Sequence, residues 1–156
     1  MTIKLRRAEE ADAALIWRMQ IESFAQMYER YRDDETSPAK EPMEKVVARI
    51  RQPYTYYYLI ETDEGVTGAI RVVDFREEGR PKRISPLFVL PEYRKQGYAQ
   101  AAIRAVEAIH GPQNWALDTI AQEAGNCRLY EKMGYRRTEH MEIVSDRMTL
   151  VFYEKK

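Results

Sequence analysis

Residues 87–99 read LFVLPEYRKQGYA, and the chain continues QAAIRAVEAI. This stretch constrains the fold more than any other. An apolar run stops at Pro91, a polar turn carries Arg94 and Lys95, and a glycine follows at 97. Beyond it the apolar residues recur at helical spacing, so a strand hands over to a helix here. The first turn of a helix has unpaired N–H groups and the positive end of the helix dipole. A glycine at that point lets a ligand approach the backbone where a Cβ would collide. The two cations add positive charge nearby. The segment therefore fits a phosphate cradle. An ordinary strand-to-helix turn with a cap glycine uses the same residues, and on these residues alone both readings stand.

The rest of the composition narrows the class. The chain has 156 residues, 44% of them hydrophobic, enough for one domain over 1–156 with a full core. Its 25 basic and 25 acidic residues cancel, which argues against a general nucleic-acid binder. No apolar stretch approaches the roughly 20 residues of a membrane span. The opening MTIKLRRAEEADAALIW has no uninterrupted apolar run of the secretory kind. Cys127 is the single cysteine, so no internal disulfide is expected and a cytoplasmic location is. No repeat is visible.

Local patterns give an element order. Ile3 to Arg7 reads as a strand, and Asp12 as the cap of a helix to about Tyr28. RDDETSPAKEP reads as a loop, and Pro42 opens a second helix that ends at Pro53. TYYYLIE and VTGAIRVVDF read as strands joined by the turn DEG at 63–65. RISPLFVL reads as a third long strand, leading into a helix from about Gly97 to His110, stopped by Gly111-Pro112. WALDT, a short helix over 125–133 closed by Gly134, and a final hairpin through Ser145 and Asp146 complete the chain. Pro86 stands either at a bulge or at the first residue of a strand that begins late, because proline cannot donate to a ladder. The mixed order predicts an α+β domain on one mixed sheet.

Several chemistries lack their motifs. There is no G-x-x-x-x-G-K-[ST], no G-x-G-x-x-G and no G-x-S-x-G. His110, His140 and Cys127 have no metal-ligand spacing, so no metal is expected.

Arg94, Gly97 and Ala99 meet the pattern [QR]-x-x-G-x-[GA], and CRLYEKMGY follows about thirty residues later. With these two signatures the chain resembles the GNAT superfamily of acetyl-CoA-dependent N-acetyltransferases, over nearly its whole length. The resemblance implies a GNAT acyltransferase fold: a central mixed, mostly antiparallel sheet of about six to seven strands, flanked by about four helices. It implies acetyl-CoA as cosubstrate, with the pyrophosphate held by N–H groups from Gln96, Gly97, Tyr98 and Ala99 and by Arg94 and Lys95. Pantetheine would lie along the preceding strand, with main-chain bonds at Val89. An N–H near Leu87 or Phe88 would polarise the thioester carbonyl. Tyr130 matches the tyrosine that serves as acid to the departing thiolate. Asn126, one turn before it, could cap the short helix or touch pantetheine.

The implied reaction is direct acetyl transfer to a primary amine of a small molecule or of a peptide or protein end. A non-catalytic acyl-CoA-binding or sensor module of the same fold is the alternative. The resemblance leaves a homodimer open, and it implies neither nucleic acid nor membrane as partner. The general base is open among Glu22, Asp118 and a water chain. For the acceptor, Trp17, Ile21, Phe24 and Tyr28 share one face of the first helix, bordered by Glu22 and Glu29. That stripe reads either as core or as the wall of an apolar acceptor pocket.

Overall fold

The computed structural model describes residues 2–156. Seven strands form one sheet: β1 (Lys4–Arg7), β2 (Thr55–Thr62), β3 (Gly65–Val73), β4 (Lys82–Val89), β5 (Trp115–Ile120), β6 (Arg136–Ile143) and β7 (Thr149–Lys155). Their order is β1-β2-β3-β4-β5-β7-β6. Every neighbouring pair is antiparallel except β4 with β5. Four α-helices flank it: α1 (Ala13–Tyr31), α2 (Met43–Arg51), α3 (Tyr98–His110) and α4 (Ala124–Lys132). This is the α+β architecture expected from the element order.

Both faces of the central strands are covered, which explains why TYYYLIE shows no polar alternation. Tyr57 and Leu59 point to the α1 and α2 side, packed with Ile16, Met19, Val46 and Phe88. Tyr58 and Ile60 point the other way, towards Ala102, Ile103 and Val106 of α3. The period-2 geometry of a strand divides one apolar run between two cores.

Local differences from the sequence reading have identifiable causes. Helix α1 runs past Tyr28 to Tyr31, where Arg32 turns left-handed at φ 51° and stops it. Asp12 occupies the position before α1, but its carboxylate accepts from the Glu9 N–H at 2.8 Å and pairs with Arg6 instead of capping α1. Of the two readings of Pro86, the bulge is the one found. β4 begins at Lys82, and the register shifts from Ile70↔Leu87 to Val72↔Ile84, so one extra residue of β4 bulges opposite Arg71. Among the described residues, no helix is long and apolar enough to cross a membrane.

Candidate active site

The parallel pair at the centre of the sheet is short. β4 and β5 are in register only at Lys82↔Trp115 and Arg83↔Ala116. Beyond these, β4 continues to Val89 and β5 to Ile120 as separate strands. The bulge at Ser85 and Pro86 bends β4 where the pairing ends, and the two strands diverge.

Backbone groups face the resulting gap. The Leu90 N–H donates to Thr67 O of β3 at 2.8 Å. Alternation along a strand then turns Phe88 to the same side, into the ladder with Ala69. Leu87 and Val89 point to the opposite side, where β5 has left. Of the two residues considered for polarising a carbonyl, Leu87 therefore presents its N–H to the gap and Phe88 does not. The close approach of β3 and β4 here depends on Gly68, which sits opposite Val89.

Two cavities meet at this gap. The larger, about 390 Å³, lies towards α1 and the bulge and is lined by Gln20, Glu41, Arg71, Pro86, Asp118 and other residues. The smaller, about 220 Å³, runs along Val89 to Arg94 and to Ala99 in the first turn of α3. Phe24, Met27, Leu87, Asn126 and Tyr130 line both.

The cradle residues divide by position. Gly97 adopts φ 84° immediately before α3, with Lys95 also left-handed at φ 64°. A glycine offers no side chain to cap the helix, so the first-turn amides of α3 stay available to a ligand. Lys95 and Gln96 are exposed, and neither they nor Gly97 and Tyr98 line the two cavities; Arg94 and Ala99 do. Arg94 turns back from the loop: its Nε donates to Val89 O at 3.0 Å and its Nη2 to Ser23 O at 2.6 Å. It therefore fixes the end of β4 against α1 as well as bordering the smaller cavity.

Tyr130 stands where the cavities join, with Tyr135 and Tyr153 around its ring at 6.0 and 6.2 Å. Burial pushes its phenol well above the ordinary value, and Asp118 and Cys127 act in the same direction. The hydroxyl is therefore protonated at neutral pH and can donate. Asn126 lies inside α4, three residues past the cap position, which Glu123 occupies. That excludes the capping role and leaves its side of the gap. Glu123 is held from α1 by Arg30, at 2.9 and 3.2 Å, and by the Tyr31 hydroxyl at 2.6 Å. The end of α1 is thereby tied to the start of α4.

Of the carboxylates considered as a base, Asp118 lines the larger cavity, bonded by Arg83 at 2.7 Å, whereas Glu22 is exposed and lines neither cavity. The aromatic stripe is also redistributed. Trp17 packs in the core and donates to Glu41 O at 2.8 Å, and Tyr28 bonds Asp34. Only Phe24 of the four lines the cavities, beside Gln20 and Met27. Sequence reasoning missed the polar floor of the larger cavity: Gln20, Glu41, Arg49 and Arg71. These come from α1, the loop before α2, α2 and β3, and no spacing signal connects them. Arg49 grips Glu41 at 2.6 and 2.7 Å. Burial pushes the Glu41 carboxyl up, but the hydrogen bonds from Arg49 and Gln20 outweigh it and hold it below the ordinary range.

Comparison with known proteins agrees with this geometry. Residues 23–135 match the model of the acetyltransferase (GNAT) family. Human N-acetyltransferase 8 is 31% identical over 88 residues, a span that covers 53% of this chain and 39% of that protein. The PaiA N-acetyltransferase of Thermoplasma acidophilum, solved with coenzyme A, superposes with a TM-score of 0.78 over 100% of both chains, at 17% identity. The spermidine N-acetyltransferase of Vibrio cholerae, solved with CoA and spermine, gives 0.74 over 97% of this chain and 93% of that one, at 16% identity. At such identities the two structures speak for the fold, and the family match over 23–135 places the chain among the GNAT acetyltransferases.

Proposed function

We propose that the chain transfers the acetyl group of acetyl-CoA directly to a primary amine. The observation that carries this reading is Tyr130, a protonated hydroxyl at the junction of two cavities that meet at one split in the sheet. A module that only bound or sensed acyl-CoA would need the smaller cavity but not the larger one that joins it at Tyr130.

The residues present suit acetyl-CoA. The backbone of Val89 faces the gap, and Ala99 and the uncapped first turn of α3 stand at the far end of the smaller cavity. Arg94 adds positive charge at its edge, and Lys95 stands in the loop beyond. When bound, acetyl-CoA supplies a thioester: the amine attacks its carbonyl carbon, the C–N bond forms, the C–S bond breaks, and the sulfur leaves as thiolate. The Leu87 N–H is placed to stabilise the charge that develops on the carbonyl oxygen. Tyr130 donates its proton to the thiolate and recovers one as the amine nitrogen loses its own. Asp118, directly or through water, is the carboxylate in place to accept the proton of an arriving ammonium. The acceptor enters through the larger cavity, whose volume of about 390 Å³ suits a small molecule or a chain end.

The test is incubation with isotope-labelled acetyl-CoA and a panel of primary amines, read by mass spectrometry. Labelled acetyl on an amine, released with free coenzyme A, is the expected result. Tight acetyl-CoA binding with no transfer to any amine would instead favour the sensor module. The cradle has its own test. Gly97→Val puts a β-branched residue at φ 84°, where side chains are strained, and fills the approach to the α3 amides. Calorimetric titration should show acetyl-CoA binding weakened by about tenfold or more, a loss of ~1.4 kcal/mol. Undiminished affinity would remove the loop from the cofactor site.

A further inference from the structure

Arg71 is an unusual occupant of the larger cavity. It is 9% exposed, and among the described residues no carboxylate pairs with it. Nη1 donates to Ser85 O at 2.7 Å and Nη2 to Gln52 Oε1 at 2.8 Å, both neutral acceptors. Its Nε is buried and has no partner among the described residues. A buried guanidinium usually has a counter-charge, because an unpaired buried ion is costly. Burial and the neighbouring Arg49 both pull its pKa below the ordinary value, as expected for a cation without one.

The other charges of this cavity are already engaged. Glu41 is held by Arg49, and Asp118 by Arg83. Asp33 accepts from the Thr36 hydroxyl at 2.8 Å. Around Arg71 further polar atoms lack partners: the hydroxyl of Tyr57, which pairs with it across β2 and β3, and Oε1 of Gln20 on the same cavity. Arg71 also sits opposite the bulge of β4, whose residues Ser85 and Pro86 come one or two positions before the Leu87 N–H that faces the gap. The unpaired cation is therefore close to the reacting end of the cavity, and Asp118 lies on the β5 side of the same cavity.

We propose that the larger cavity recognises a carboxylate through Arg71, so that the acceptor is an amino-acid-like molecule carrying both a primary amine and a carboxylate. The inference rests on the acetyl-transfer reading and narrows its substrate. A bound carboxylate accepts from the free N–H groups of Arg71 and supplies the missing counter-charge. The amine then lies towards Asp118 and Tyr130. A polyamine would do the opposite, adding cations beside an unpaired one.

The decisive measurement is kcat/KM for L-amino acids, each compared with its own primary amide, with spermidine included. The acid form of the best acceptor should exceed its amide by about 10- to 100-fold, the range of a charge-assisted hydrogen bond. The amide has the more readily deprotonated amine, so reactivity alone favours the amide. Arg71→Gln should reduce the preference towards unity, while Arg71→Lys keeps part of it and guards against a folding defect. Equal kcat/KM for acid and amide in the wild-type protein would overturn the proposal, as would acetylation of spermidine but of no amino acid; either leaves acetyl transfer standing. If no amine at all is acetylated, the transfer reading fails, and calorimetric titration with N-acetyl amino acids against their amides decides the carboxylate site alone. Binding of acids but not amides, lost in Arg71→Gln, supports it; equal or absent binding of both overturns it.

Discussion

Replacing Tyr130 by phenylalanine is expected to leave acetyl-CoA binding intact and to slow acetyl transfer by about 10²-fold or more. The ring is surrounded by Tyr135 and Tyr153, and among the described residues the hydroxyl makes no hydrogen bond that holds another element in place. Phenylalanine keeps the packing and removes the proton. The thiolate must then depart without an acid beside it, or take its proton from water. Steady-state kinetics with any working acceptor, together with a calorimetric titration of acetyl-CoA, separates the two effects. A kcat equal to that of the wild-type protein would show that the sulfur leaves without help from this residue or that another step limits turnover.

The second large effect is expected at Gly68, a position with no contact to a reacting atom. A Cβ added there would stand 2.1 Å from the Phe88 carbonyl oxygen and 2.9 Å from Val89 Cα. Both are backbone, so the strands themselves must separate. Gly68→Ala should cost about 3 kcal/mol, the upper range for forced insertion into a packed site. For a chain of this size the melting temperature then falls by roughly 6–12 °C. Val89 is the residue displaced, so weaker acetyl-CoA binding should accompany the stability loss. An unchanged melting temperature would mean that β3 and β4 part here without cost.

The sequence showed the cofactor side of this molecule more clearly than the acceptor side. Arg94, Gly97 and Ala99 lie within one loop and one helical turn, so their spacing carries the family resemblance that distinguishes the proposed cradle from an ordinary strand-to-helix turn. Tyr130 was legible because it belongs to a continuous stretch, CRLYEKMGY. Strand β2 was legible from its β-branched and aromatic content, although that content could not say that both faces are covered. The larger cavity was opaque for a different reason. Gln20, Glu41, Arg49 and Arg71 come from four separate segments and converge only through tertiary packing. On α1, spacing correctly placed Trp17, Ile21 and Tyr28 near one another. A helix turns 100° per residue, so these lie roughly 60–100° around from Gln20, while Glu22 lies nearly opposite. Periodicity gives the stripe; what the stripe meets is decided by the loop carrying Asp34 and Glu41, which bonds Tyr28 and Trp17.

The brief pairing of β4 with β5 also bears on how the molecule unfolds. Two register pairs are all that join a four-stranded leaf, β1 to β4, to a three-stranded one, β5, β7 and β6. Backbone hydrogen bonds therefore carry little cooperativity across the middle. Side chains carry it instead: Ile70, Val72 and Ile84 from one leaf share a core with Trp115, Leu117 and Val151 from the other, beneath α3. The leaves are candidates for separate units of sub-global opening in amide exchange, welded by that core. A ligand that fills the split adds a second weld. By mass action, occupancy at a hundred times its Kd would raise the free energy of unfolding by about 2.7 kcal/mol. Protection would then rise together in both leaves, although each touches only one side of the ligand.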